Sequence, residues 1–111
     1  MAAAVAVGTG VGWAQDSGGH FRVEWEVSKG QKGHAVVSGY LYNDYGLAAV
    51  RVQLRVEVLD ASGRTVSETT AYIDREVPPR DRAYFEASVP RPWAGYRVTV
   101  NFFDWMVLPG Y

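Results

Sequence analysis

Between Val50 and Val58 every second residue is aliphatic (Val50, Val52, Leu54, Val56, Val58), and the residues between them are Arg51, Gln53, Arg55 and Glu57. A period of two sends successive side chains to opposite faces of an extended chain, whereas on a helix the same aliphatics would scatter around the axis. This stretch can therefore bury its apolar set only as a strand with one face on a core and one face in water.

The same period recurs along most of the chain. Phe21, Val23, Trp25 and Val27 alternate with Arg22, Glu24, Glu26 and Ser28; Ala35, Val37, Gly39 and Leu41 alternate with Val36, Ser38, Tyr40 and Tyr42. Phe85, Ala87 and Val89 alternate with Tyr84, Glu86 and Ser88, and Tyr96, Val98, Val100 and Phe102 alternate with Arg97, Thr99, Asn101 and Phe103. Thr65 to Ile73 is rich in β-branched residues and reads as a strand whose faces the pattern does not assign. The breaks are turns: the glycine-bearing Lys29 to Gly33, Asn43-Asp44-Tyr45-Gly46, Asp60-Ala61-Ser62-Gly63, Pro78-Pro79-Arg80-Asp81 and Pro90-Arg91-Pro92. No window carries apolar residues at helical spacing between caps. Short strands with turn signals at this spacing predict an all-β fold, a single immunoglobulin-like antiparallel β-sandwich of six to seven strands. In that arrangement the first, second and fifth strands share one sheet, and the third and last share the other.

A chain of 111 residues is enough for one domain without staples. Its 11 basic and 12 acidic side chains give a net charge of -1, so nothing draws it as a whole to nucleic acid or an anionic membrane. The absence of cysteine excludes disulfides, thiolate metal sites and cysteine nucleophiles. Residues 1–15, MAAAVAVGTGVGWAQ, are uncharged and rich in Ala, Val and Gly before the polar Asp16-Ser17-Gly18-Gly19, the profile of a secretory signal peptide followed by a sandwich domain over residues 16–111. The apolar part is too short to span a ~30 Å bilayer as a helix, so no stable membrane span is predicted and the location is periplasmic or secreted.

Three stretches are similar to the FxLYD-type domains, small bacterial and archaeal immunoglobulin-like sandwiches. Val37 to Asn43 matches the family's Gly-x-apolar-x-Asn, Val56 to Gly63 its apolar-x-apolar-x-Asp-x-x-Gly, and Val77 to Phe85 its proline turn before an aromatic strand. The resemblance implies the sandwich, an extracytoplasmic setting and no catalytic residue. Read on their own chemistry, Asn43 and Asp60 are turn residues that bond loop backbone, and Gly39 makes room for a large neighbour such as Trp25.

Chemistry-bearing motifs are sparse. His20 and His34 each stand alone at a strand start and read as solvated, which predicts no metal site. Ser62 lies in a turn and in no nucleophile elbow, and Gly8-Thr9-Gly10-Val11-Gly12 lacks the Lys and helix of a phosphate loop. Glu24 and Glu26 read as ordinary surface. The prediction is a protein with no enzymatic activity and no cofactor. The aromatics are the remaining signal, since Tyr40, Tyr42, Tyr84 and Phe103 fall in the outward phase and the end from Phe102 to Tyr111 is apolar. Sorting outward residues by sheet gives an acidic, tyrosine-rich face (Arg22, Glu24, Glu26, Tyr40, Tyr42, Tyr84, Glu86) and a face of net positive charge (Arg51, Gln53, Arg55, Glu57, Arg97, Asn101, Phe103). The candidate binding residues are Tyr40, Tyr42, Tyr84, Arg51, Arg55 and Trp105, and the candidate partner is another envelope protein or, for a carbohydrate-binding module stacking tyrosines on sugars, a glycan.

Overall fold

The computed structural model describes residues 19–90 and 95–107, together with the backbone of Ala2–Ala3, Val5–Val7 and Val11–Gln15. The strands are β1 (Ala2–Ala3), β2 (Val5–Val7), β3 (Val11–Gln15), β4 (Phe21–Lys29), β5 (His34–Asn43), β6 (Ala49–Leu59), β7 (Thr65–Ile73), β8 (Arg82–Pro90) and β9 (Gly95–Trp105). They form two antiparallel sheets, in the orders β1-β3-β4-β5-β8 and β2-β9-β6-β7. The six strands from β4 to β9 build the β-sandwich. As expected for the first, second and fifth strands against the third and last, β4, β5 and β8 share one sheet while β6 and β9 share the other, with β7 on the outer edge of the second.

The core lies where the two apolar sets meet. Phe21, Val23, Trp25, Val37, Leu41, Phe85 and Val89 face Val52, Leu54, Val56, Val58, Tyr96 and Val98, all of them buried. Trp25 meets Tyr96 edge to face, with ring centroids 6.4 Å apart, and among the described residues its indole Nε1 has no hydrogen-bond partner, so packing holds the ring there. Gly39 sits opposite Trp25 in register, but the close neighbour is backbone: a Cβ there would run into the carbonyl of Glu24 and lie 2.8 Å from the Cα of Trp25. The glycine admits the main chain of β4 and not the indole ring that the sequence suggested.

Strict alternation fails at one end of the second sheet. β6 and β9 pair with register irregularities between Val50 and Gln53 and between Gln53 and Leu54. Arg51 there has a φ of 53°. Beyond these bulges the faces invert. Ala49 is fully buried and Val50 only half-buried. Phe102, read as inward, is 45% exposed, and Phe103, read as outward, packs against the core with Trp105.

The turns behave as their residues predict. Asn43, 1% exposed, donates from Nδ2 to the carbonyls of Leu47 (2.8 Å), Val77 (3.2 Å) and Pro78 (3.3 Å), and its Oδ1 accepts from the Tyr45 N–H at 2.9 Å. One side chain thus ties the β5–β6 loop to the proline turn before β8. Asp60 Oδ1 accepts from the backbone N–H of Ser62 and of Arg64, both at 2.9 Å, and Gly63 supplies a φ of 84°. These donors hold the Asp60 carboxyl below its ordinary range, the Arg64 N–H most of all.

The leader reading of residues 1–15 falls partly on residues 1, 4 and 8–10, and its cleavage point at Asp16, all outside the described residues. In between, the backbone of β3 pairs with β4 and that of β2 with β9. Among the described residues no helix is long and apolar enough to cross a membrane.

Candidate functional site

The outer face of β4, β5 and β8 is a lattice of cross-strand rows. Arg22, Tyr42 and Arg82 stand opposite one another; next come Glu24, Tyr40 and Tyr84, then Glu26, Ser38 and Glu86. Directly opposed side chains on one face are close enough to interact, and here the interactions run diagonally as well. The Tyr42 hydroxyl donates to Glu24 Oε1 at 2.9 Å and accepts from Arg82 Nη1 at 3.2 Å. The guanidinium of Arg82 lies 4.0 Å from the Tyr40 ring centroid, and that of Arg22 lies 4.7 Å from the Tyr42 centroid, both within cation–π range. Arg22 is in turn clamped by both oxygens of Asp44, at 2.7 and 3.0 Å. That hydrogen-bonded pair pushes the Asp44 carboxyl down and the Arg22 guanidinium up.

Beyond Tyr40 the lattice opens into a pocket of about 320 Å³, lined by Glu24, Trp25, Glu26, Ser38, Gly39, Tyr40 and Tyr84. Tyr40 and Tyr84 both line it and meet each other edge to face, with centroids 5.6 Å apart and planes at 69°, and Tyr84 is 50% exposed. Tyr40 and Tyr42 are tilted at 54°. The rings therefore form walls and not a coplanar platform.

The structure brings the three predicted tyrosines together and separates them from the other candidates. Arg51 and Arg55 lie on the opposite sheet. Arg51 pairs with Asp104 at 2.6 Å, and Arg55 donates to Asn101 Oδ1 at 2.8 Å. Arg97 and Glu57 pair there at 3.0 Å, and Thr65 Oγ1 donates to Glu57 at 2.7 Å. Arg97 first and Thr65 second hold the Glu57 carboxyl below its ordinary range. Trp105 sits at one end of the sandwich, stacked on Phe21 (centroids 5.4 Å apart, planes at 13°) and packed against Phe103 and Tyr45. Through Val107 the apolar C-terminal stretch is thus partly docked by Phe103 and Trp105; residues 108–111 lie outside the described residues. His20, read as a solvated loop residue, joins this cluster with its ring 4.6 Å from Tyr45 and 5.6 Å from Trp105.

Two features escaped the sequence reading. Arg82 belongs to the tyrosine face, which makes that face mixed and not simply acidic, with its basic residues at one end and its carboxylates at the other. Carrying the alternation of Tyr84 and Glu86 back by one step would have found it. On the second sheet, Gln53 is flanked in register by Tyr72 and Phe102, both exposed. The first lies in the strand of unassigned phase and the second beyond the bulge. Among the described residues no three His, Asp or Glu side chains converge as metal ligands.

The chain matches no model of a known protein family, and no curated protein is recognisably similar to it in sequence.

Proposed function

We propose that this protein is a non-catalytic binding or structural module of the cell envelope, an immunoglobulin-like sandwich of FxLYD type that works through protein–protein contacts on the outer face of β4, β5 and β8. The observation that carries the proposal is the pocket walled by Tyr40 and Tyr84. Tyr40 and Tyr42, held in place by Arg82 and Arg22, offer contact area whose ordering cost is already met, and Tyr84 packs on Tyr40 beside them, as in other tyrosine-rich recognition surfaces. Sugar stacking favours rings lying open to a flat ligand, whereas Arg82 lies over Tyr40 and the tyrosine planes are steeply inclined to each other, so the geometry favours a protein partner over a glycan.

The test is a pull-down from the envelope fraction of the source cell with the full chain as bait. Tyr40→Ala with Tyr84→Ala is expected to abolish recovery of the partner, and Arg51→Ala with Arg55→Ala to leave it unchanged. The reverse pattern would move the function to the second sheet, and retention on a glycan array would favour the carbohydrate reading. Export is tested separately by N-terminal sequencing of protein recovered outside the cytoplasm, with a start near Asp16 expected and intact Met1 in the cytoplasm counting against it.

A further inference from the structure

We infer that the Tyr40–Tyr84 pocket receives the cationic end of a lysine or arginine side chain from an extended segment of the partner protein; this rests on the protein-contact reading of the same face. Charge complementarity is the first argument. Glu24 and Glu26 border the pocket, and Glu86 stands across Ser38 from Glu26. Among the described residues Glu26 and Glu86 have no ion-pair partner, because the two arginines of the face are engaged at its far end by Asp44, Tyr42 and Tyr40. The acidic end of the lattice therefore lacks the counter-charge that the basic end has.

The chain also supplies its own example of the contact. Arg82 lies 4.0 Å from the centroid of Tyr40 yet does not line the pocket, so the flank of Tyr40 toward Glu26 is left for a second cation. A cation there would have aromatic walls from Tyr40 and Tyr84 and carboxylates beside them, a combination that strengthens as the site is desolvated. Size narrows the occupant. At about 320 Å³ the pocket is at the bottom of the range for small-molecule sites, which suits one long side chain whose backbone runs over the open sheet face.

The experiment is an NMR titration of the full chain with three capped peptides, Gly-Ser-Lys-Ser-Gly, its arginine counterpart and its Nε-acetyl-lysine counterpart. The lysine and arginine peptides are expected to shift Tyr40 and Tyr84 ring signals, with an effect that weakens as salt is raised, and the acetylated peptide to shift neither. Glu24→Gln with Glu26→Gln should weaken the response by about tenfold or more, equivalent to losing one charge-assisted contact, while the backbone amide signals of the buried Leu54 and Val98 on the opposite sheet report an intact fold. Equal shifts from the acetylated peptide, no shifts up to roughly 10 mM, or indifference to the double glutamine variant would overturn the inference. The two readings fail separately. Partner capture lost in the Tyr40→Ala, Tyr84→Ala variant but untouched by Glu24→Gln, Glu26→Gln would overturn the cation pocket and leave the protein-contact reading standing. Selective peptide binding beside a partner indifferent to the tyrosines would do the opposite.

Discussion

Replacing Gly39 with alanine adds one methyl group at a place where the main chain of β4 lies close against β5, and the structure fixes what it meets. The new Cβ would overlap the carbonyl oxygen of Glu24 and stand 2.8 Å from the Cα of Trp25. Carbon atoms in good contact are about 3.5–4.0 Å apart, so the second overlap alone is roughly 1 Å. Both neighbours are main chain and cannot swing away as the tip of a side chain would. Relief requires β4 to shift against β5, disturbing the register that seats Phe21, Val23 and Trp25 in the core. Overpacking of this kind costs about 1–3 kcal/mol, and rigid neighbours place it at the upper end. Restricting the unfolded chain returns about 0.4–1 kcal/mol, leaving a net loss of about 2 kcal/mol. With a urea slope of about 1–3 kcal/mol/M for a small domain, the midpoint should fall by roughly 1 M. Gly46→Ala is the control, since nothing lies within 4 Å of its added Cβ, and it should be neutral or slightly stabilising. A Gly39→Ala midpoint indistinguishable from wild type, with the same slope, would refute the close-approach reasoning.

Four further outcomes follow from the same packing. Asn43→Ala should cost about 2–4 kcal/mol in thermal or urea melts because the part-buried Tyr45 N–H and three loop carbonyls each lose a hydrogen bond, the Val77 carbonyl keeping only that from the Ala49 N–H, and Asn43→Asp should cost more by setting a carboxylate against those carbonyls. Leu54→Ala should lose about 2–5 kcal/mol and Val56→Ala somewhat less, against under about 0.5 kcal/mol for Arg55→Ala; a reversed order in urea melts would reject the assigned faces. Phe103→Ala should destabilise by about 3 kcal/mol and Phe102→Ala by well under half of that, the opposite of what unbroken alternation predicts. For pH, the Glu57 carboxyl is depressed by Arg97 and Thr65 in the folded state, so its stabilisation is complete above the carboxylate range of the unfolded chain and is lost as pH falls through the depressed folded value. Glu57→Gln should therefore show a flatter loss of melting temperature between about pH 5 and pH 2 than wild type, and parallel acid limbs would contradict this assignment.

What could be read in advance was whatever side-chain chemistry alone dictates. The period of two in β8 and, from Val52 onward, in β6 left one solution for their faces, and Leu54, Val56, Phe85 and Val89 are buried accordingly. Asn43, Asp60 and Gly63 announced their turns because each supplies a group or a φ that the turn demands. The tyrosine row was legible as three outward positions. Its pocket was not, because that depends on which residues of β4 and β8 stand opposite Tyr40, and register is set between strands and not within them.

The bulged end of β6 and β9 shows why alternation can mislead and where the sequence nevertheless carried a warning. Leu54 pairs with Val100 and Val50 with Asp104, so the two strands advance by four residues each between these pairs, and their irregularities cancel in register. Each strand's side-chain phase is nevertheless inverted, which brings Ala49, Phe103 and Trp105 inward together and onto Phe21. Because the inward and outward sets are both apolar here, with Val50 and Phe102 as plausible in a core as Ala49 and Phe103, hydrophobicity does not choose between them. Charge does. Carried one step past Phe102, the strict pattern would bury Asp104 and expose Trp105, and an unpaired carboxylate in a core costs several kcal/mol. The bulges avoid that cost and place Asp104 outside, where it meets the guanidinium of Arg51. The residue that adopts the positive φ of one bulge is thus also the one that pairs with the carboxylate the inversion turns outward.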